Sequence, residues 1–313
     1  LQSQIGVALA GDDSTIVNDG TINANNGYGI YDPGGFGNQL RNNGDINSAI
    51  GIVGTGDGGR IINGAQGEIL ASSQALAASA ASGDTYTIIN HGRVLAAEGT
   101  LVLLCGAEND TVRNDGAMLG LIGLGDGKDT FDTRGGKISN TVIGNDGDDT
   151  LIVDKAFYTL TEAAGQGTDT VRSSASYTLS ANVEKLFLLG KADINGTGTT
   201  LADVLHGNAG DNRLKGQAGL DHLYGHGGND RLTGGADVDY FHFSDGDDHD
   251  TVLDFELGID WIDVHNWTGM DALGDIQAHA HNQGNDVIIT QGGDSLLIKG
   301  HHKADLAAMD FVF

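Results

Sequence analysis

Among 313 residues there are one proline, one cysteine and only 16 lysines and arginines, and no apolar run approaches the length of a membrane-crossing helix. The lone Cys105 removes any disulfide framework. It follows the apolar run Leu101–Leu104, where a small buried hydrophobe is expected rather than a nucleophile or a metal ligand. Scarce basic residues against 43 acidic ones leave a formal net charge of −27, so nucleic acid and anionic membrane surfaces would repel the chain. Without about 18 consecutive apolar residues there is no candidate membrane span. Without a basic-then-apolar start there is no Sec-type signal peptide. The chain begins at Leu1 rather than Met, which points to a processed chain or a fragment.

What is abundant is glycine, 51 residues, dispersed among Asp, Asn, Thr and β-branched residues. This is the composition of many short strands separated by turns, and it makes an all-helical fold untenable. The excess negative charge makes cations the natural partners. In a folded chain, bound metal would neutralise a share of the carboxylates, and the rest would form a solvated acidic surface.

Two internal periods organise the sequence. Over residues 1–120 a unit reading apolar-apolar-Asn-x-Gly recurs, with its Asn at 18, 42, 63, 90 and 114. The spacings of 24, 21, 27 and 24 suit one coil of a parallel β-helix with two or three short strands per turn. In such a coil, alternating Ile, Val and Leu point inward and stack on the coil about 4.8 Å below, while Asn and Gly make the corners. Asn ladders are the expected corner element. A solenoid needs end caps, and the opening Leu1-Gln2-Ser3-Gln4-Ile5 offers no obvious one, which suggests upstream chain or self-association.

The second period is nine. From residue 198 the chain reads GTTLADVLH, GNAGDNRLK, GQAGLDHLY, GHGGNDRLT and GGADVDYFH. The sixth positions are Asp203, Asn212, Asp221, Asp230 and Asp239, and the eighth are Leu205, Leu214, Leu223, Leu232 and Phe241. Glycines permit the turn, carbonyls and Asp carboxylates supply hard oxygen donors of the kind Ca²⁺ prefers, and the eighth side chain fills the core. Isolated copies lie at residues 125–131 and 144–151, with Asp129 and Asp149 as candidate ligands and Asp126 and Asp146 as weaker ones; a degenerate copy lies at 106–112. Ordinary Asp-Gly turns are the competing reading, chiefly for the isolated copies.

These nonads resemble the RTX (repeats-in-toxin) family, whose GGxGxDxUx repeats form a parallel β-roll with Ca²⁺ between turns. The resemblance implies several bound Ca²⁺ ions. With two nonads per coil, it pairs Asp203 with Asp221, Asn212 with Asp230, and Asp221 with Asp239. Asn212 replaces the expected Asp, and the first nonad lacks Gly at its fourth position. The segments at 167–186 and 254–263, and the closing Asp310-Phe311-Val312-Phe313, resemble the family's pre-repeat strands, post-repeat cap and uncleaved type I secretion signal. That implies export by type I secretion machinery to an extracellular or cell-surface location, with folding driven by the calcium met outside.

Ten of the eleven histidines lie at or after His206, including His222 and His226, His279 and His281, and His301 with His302. There is no HExxH, and several fall at outward nonad positions, so solvated surface residues are expected rather than a zinc or nickel site. The stretch Tyr28-Gly29-Ile30-Tyr31-Asp32-Pro33 is loosely similar to a motif of alginate epimerases, but Gly34-Gly35 stand where the catalytic His should be. Ser72 and Ser73 have no nucleophile-elbow context. No catalytic residue is assigned.

The sequence therefore predicts an all-β chain, a parallel β-helix/β-roll solenoid with a C-terminal β cap. Its expected parts are β-helix coils (1–120), a mixed solenoid with isolated repeats (121–197), the RTX β-roll (198–249), and a cap with secretion signal (250–313). The expected function is a secreted calcium-binding structural, adhesin or matrix protein that self-associates. The alternative is the export and stability region of a larger secreted enzyme or toxin, such as a polysaccharide-active protein.

Overall fold

A computed structural model describes residues 5–9, 11–56, 58–79, 85–139 and 141–313. The question of a cap at residues 1–4 lies outside them. The chain divides into two compact units, Leu1–Asp169 and Thr170–Phe313. Both are parallel β-solenoids, and the single α-helix among the described residues is the short Leu273–His279.

In the first unit one sheet runs through Thr15–Asn18, Gln39–Asn42, Arg60–Asn63, Thr87–Asn90, Thr111–Asn114, Thr130–Asp132 and Thr150–Val153, every neighbour parallel. A second sheet stacks Ile5–Ala8, Thr21–Asp32, Asp45–Gly54 and Glu68–Ala78, then continues through the strands at 101–104, 121–123, 141–143 and 159–161. Register is set by the pleat: Leu40, Ile61, Ile88, Val112, Phe131 and Leu151 fall on one inward column and are all buried. A slip of one residue would turn that column to solvent.

The recurring Asn does form the corner ladder. Asn18 Nδ2 donates to Asn42 Oδ1 at 2.7 Å, Asn42 to Asn63 at 2.9 Å, Asn63 to Asn90 at 2.8 Å and Asn90 to Asn114 at 2.7 Å. Thr133 Oγ1 continues the series, accepting from Asn114 at 3.2 Å. The buried amides thus satisfy one another, which is why Asn is needed where a larger or apolar side chain would leave orphaned donors. Asn63→Ala should lower the stability of this unit by about 2–4 kcal/mol, because it strands the Asn42 donor and the Asn90 acceptor. Urea unfolding should show the same loss with calcium or with chelator, since no carboxylate takes part.

In the second unit one sheet stacks Thr170–Ser173, Lys185–Leu188, Val204–His206, His222–Tyr224, Tyr240–His242, Trp261–Asp263 and the final Phe311–Val312. The opposite sheet stacks Tyr177–Thr178, Gly196–Thr197, Arg213–Ala218, Arg231–Ala236, His249–Val252 and Asp294–Ile298. Antiparallel strands Asp286–Gln291 and Ala280–Gln283 close that sheet, making the expected C-terminal cap. The eighth nonad positions form two inward columns, Leu205–Leu223–Phe241 and Leu214–Leu232, each side chain 0–1% exposed. Each such burial contributes about 1.5–3 kcal/mol. Cys105 is buried and free, as its apolar setting suggested, and burial pushes its thiol well up.

Candidate metal centre

Each nonad from 198 to 242 enters a strand at its seventh position, and the strands Arg213–Ala218 and Arg231–Ala236 run on into the next nonad before the turn; the sixth side chain points inward at the corner. The fourth-position glycines Gly219 and Gly228 take φ of 104° and 112°, a left-handed turn that a Cβ would strain. The inward-facing Asp203, Asp221 and Asp239 then stack on one edge of the unit, and Asn212 and Asp230 on the other; all five are at most 1% exposed.

These residues are joined coil to coil. Asp203 N–H donates to Asp221 Oδ1 at 2.9 Å, Asp221 N–H to Asp239 Oδ1 at 3.1 Å, and Asn212 N–H to Asp230 Oδ1 at 2.7 Å. The three pairs implied by the RTX resemblance are therefore brought together. The ladders also extend beyond the nonads: Asp230 N–H donates to Asp250 Oδ1 at 2.9 Å and Asp239 N–H to Asp260 Oδ1 at 3.0 Å. In the first unit Asp110, Asp129 and Asp149 donate in the same way to Asp129, Asp149 and Asp169, at 2.5, 2.8 and 2.8 Å.

One carboxylate oxygen is used by the ladder, and the other is left over. The Oδ2 atoms of Asp129, Asp149, Asp221, Asp230, Asp239 and Asp250 are buried with no hydrogen-bond donor. Leaving a charged acceptor so is costly unless a cation is present. The first-position glycines make the necessary room. A Cβ on Gly225 would lie 2.5 Å from Asp230 Oδ2 and 2.8 Å from Asp250 Oδ2, and one on Gly216 would collide with Asp221 Oδ2 and the Gly234 carbonyl oxygen. These pockets, lined by carboxylate and carbonyl oxygens from successive coils, fit a hard cation.

The electrostatics agree. Burial, reinforced by neighbouring carboxylates, pushes Asp221 and Asp129 up to about 8 and Asp149 and Asp239 up to about 7. The same causes raise Asp230 to about 8 and Asp250 to about 9. Without a cation, these groups favour holding protons.

Not every candidate behaves alike. Asn212 finds its partners within the protein: its Oδ1 accepts from Asn208 N–H at 2.7 Å and its Nδ2 donates to the Ile194 carbonyl at 2.7 Å. Asp203 Oδ2 is already bound by Thr199 N–H at 2.5 Å and Thr199 Oγ1 at 3.0 Å. Asp203 Oδ1, however, is buried without a donor, so within this coil only Asn212 is fully satisfied by the protein's own polar groups. Asp126 and Asp146 lie exposed on the turns, and Asp146 accepts from Gln166 Nε2 at 3.0 Å. Glu162 was not apparent from the sequence. With Asp149 and Asp169 it forms a buried trio whose ligand atoms all lie within 4.8 Å of one another. It arrives from the end of another strand, Thr159–Thr161, so no repeat spacing announces it.

Comparison with known proteins bears on this segment. The RTX calcium-binding nonapeptide repeat (4 copies) matches residues 197–232 and 219–250. Residues 197–250 are RTX calcium-binding nonapeptide repeats. The RTX segment therefore coincides with the most regular part of the carboxylate ladders. No curated protein matches the chain. Among solved structures, the extracellular lipase LipA from Serratia marcescens is similar at 16% identity, with a TM-score of 0.29 over 79% of this chain. The chain spans 42% of that lipase chain, and a likeness this weak carries no argument.

Two further residues singled out in the sequence make contacts within the coils. Asp32, in the stretch similar to the epimerase motif, is buried and accepts from Asn38 Nδ2 at 3.1 and 3.2 Å, bracing a corner. Ser73 Oγ donates to the Ala49 carbonyl at 2.7 Å. No helix among the described residues is long and apolar enough to cross a membrane.

Proposed function

We propose that this chain is a secreted, calcium-switched β-solenoid that serves as a structural element of an extracellular surface or matrix. The observation that carries the reading is the row of buried Oδ2 atoms without donors, on Asp221, Asp230, Asp239 and Asp250. Asp221, Asp230 and Asp239 with Asp250, joined by glycine carbonyls of the first nonad positions, hold the ions of the second unit. Asp149, Asp169 and Glu162, with Asp129, hold those of the first. Bound Ca²⁺ supplies the positive charge that lets these carboxylates stay ionised in the folded state.

The physics of the ladder favours export before folding. Where calcium is scarce at neutral pH, stacked carboxylates one coil apart repel one another and resist burial, so the second unit stays open enough to be threaded by type I secretion machinery. Outside, sites of this class fill at roughly 10⁻⁴ to 10⁻³ M calcium. At a hundredfold excess over the dissociation constant each ion adds about 2.7 kcal/mol.

A structural role is favoured by rows of like chemistry on the outer faces, such as the exposed pairs Asn23–Asn47 at 3.1 Å and Asp19–Asn43 at 2.7 Å. Such rows offer a repeating surface to a second copy or to matrix components. Fractionation of producing cells tests the reading: the chain should be recovered outside the cell, protease-resistant in millimolar calcium and as particles larger than one chain. Recovery as a folded, calcium-independent cytosolic monomer would contradict it.

A further inference from the structure

The outer face of the second unit carries an ordered histidine array unrelated to the carboxylate ladders. His206, Tyr224 and His242 occupy the ninth position of alternate nonads and stack as a column, with Phe187 beneath. Ring centroids are 4.3 Å apart for Phe187–His206 and His206–Tyr224, and 3.9 Å for Tyr224–His242, with planes within 12° of parallel. His222 stacks on Tyr240 in the adjacent column at 4.7 Å. Ring faces are covered by these neighbours, so the face presents ring edges, where the imidazole nitrogens are.

Those nitrogens converge in pairs. His206 Nδ1 and His226 Nε2 share a hydrogen bond at 3.0 Å, and His222 Nδ1 and His242 Nε2 one at 2.9 Å, so one nitrogen of each pair carries a proton that a bound metal would displace. Two nitrogen ligands about 2.0–2.1 Å from one ion and at right angles to each other are about 2.9 Å apart, whereas tetrahedral ligands are about 3.3 Å apart. The observed spacing is that of adjacent positions in a tetragonal site. One pair also has the support that metal-binding imidazoles commonly have: His242 Nδ1 is held by Asp263 Oδ2 at 2.9 Å, which turns the lone pair of its Nε2 toward His222.

We propose that the pairs His206–His226 and His222–His242 are two adjacent sites for a divalent transition metal with tetragonal preference, Cu²⁺ above all. Stacking fixes the rings before the ion arrives, so little side-chain entropy is lost on binding. Nitrogen donors separate these sites chemically from the all-oxygen calcium ladders, and the Irving–Williams order places Cu²⁺ highest among the divalent first-row ions. Each ion ties residues 20 apart on successive coils, an external staple across the calcium-binding segment. Two protein ligands leave the other positions to water or to an incoming donor.

The test uses the full chain saturated with calcium, titrated with CuCl₂ at pH 7.5 in a non-coordinating buffer and followed by calorimetry and electron paramagnetic resonance. Two equivalents should bind with Kd of about 10 µM or tighter. Each copper signal should carry hyperfine structure from two imidazole nitrogens. His226→Asn, chosen because Asn tolerates the φ of 62° found at His226, should remove one equivalent. His242→Gln should remove the other. The calcium midpoint, measured in the absence of copper, should be unchanged in both variants, which separates loss of copper ligands from loss of fold. Binding no tighter than about 1 mM, or two equivalents retained by the double variant, would overturn the proposal.

Discussion

In chelator, acidification from pH 8 to pH 5 is expected to stabilise the unit at 170–313, and in saturating calcium the same acidification is expected to leave its stability almost unchanged. The sign follows from burial. Asp221 and Asp230 are pushed up to about 8, Asp239 to about 7 and Asp250 to about 9, against an unfolded carboxylate near 3.8. A group whose pKa is higher in the folded state stabilises the fold while protonated. That contribution is complete below about pH 4 and is lost as the pH rises through about 7 to 9. With saturating calcium the dependence flattens, because the ion-bound carboxylates are ionised, as those of the unfolded chain already are above about pH 5. Denaturant unfolding at several pH values, with calcium and with chelator, reads both arms. Parallel pH dependences in the two conditions would contradict the account.

The double substitution Asp230→Asn with Asp250→Asn should produce two effects of opposite sign. Both Oδ2 atoms converge on the space beside Gly225 and both lack donors, so together they are the most strongly loaded pair in the second unit. Replacing them by amides keeps oxygens able to accept the ladder bonds from Asn212 N–H and Asp230 N–H. It removes two buried charges. The fold in chelator should therefore become more stable, while the calcium midpoint should rise by at least about tenfold, or about 1.4 kcal/mol. Asn212 is the natural precedent, an amide already satisfied at the equivalent corner. If these aspartates were plain turn residues, calcium binding would be unaffected by the change.

Much of this architecture is legible in the chain because solenoid coils repeat their chemistry. The Asn at 18, 42, 63, 90 and 114 declared both the coil length and the ladder, since a buried amide at a corner needs an identical partner one coil away. The nonads declared the sixth-position carboxylates because two repeats make one coil of 18 residues. What escaped was whatever lay out of period. Asp250 and Asp260 continue the ladders at separations of 20 and 21 rather than 18, because extra residues enter the turns there. The acidic run Asp247-Asp248-His249-Asp250 was the available signal. Glu162 joins Asp149 only through the three-dimensional return of the chain, whereas Asp169 follows Asp149 by the same 20 residues that separate Asp149 from Asp129. The histidine pairs escaped for a different reason: outward positions suggest solvent, and only the coil register shows that 206, 224 and 242 share a column.

Tryptophan emission of the full chain, titrated with Ca²⁺ and then with chelator at pH 7.5, tests the central claim most directly. The chain's two tryptophans, Trp261 and Trp267, both lie in the second unit, and Trp267 is 1% exposed. The first unit is therefore silent in this signal. The account predicts a cooperative blue shift at roughly 10⁻⁴ to 10⁻³ M calcium, reversed by chelator. Blue-shifted emission that persists unchanged in chelator would show that the second unit folds without calcium, and would contradict it.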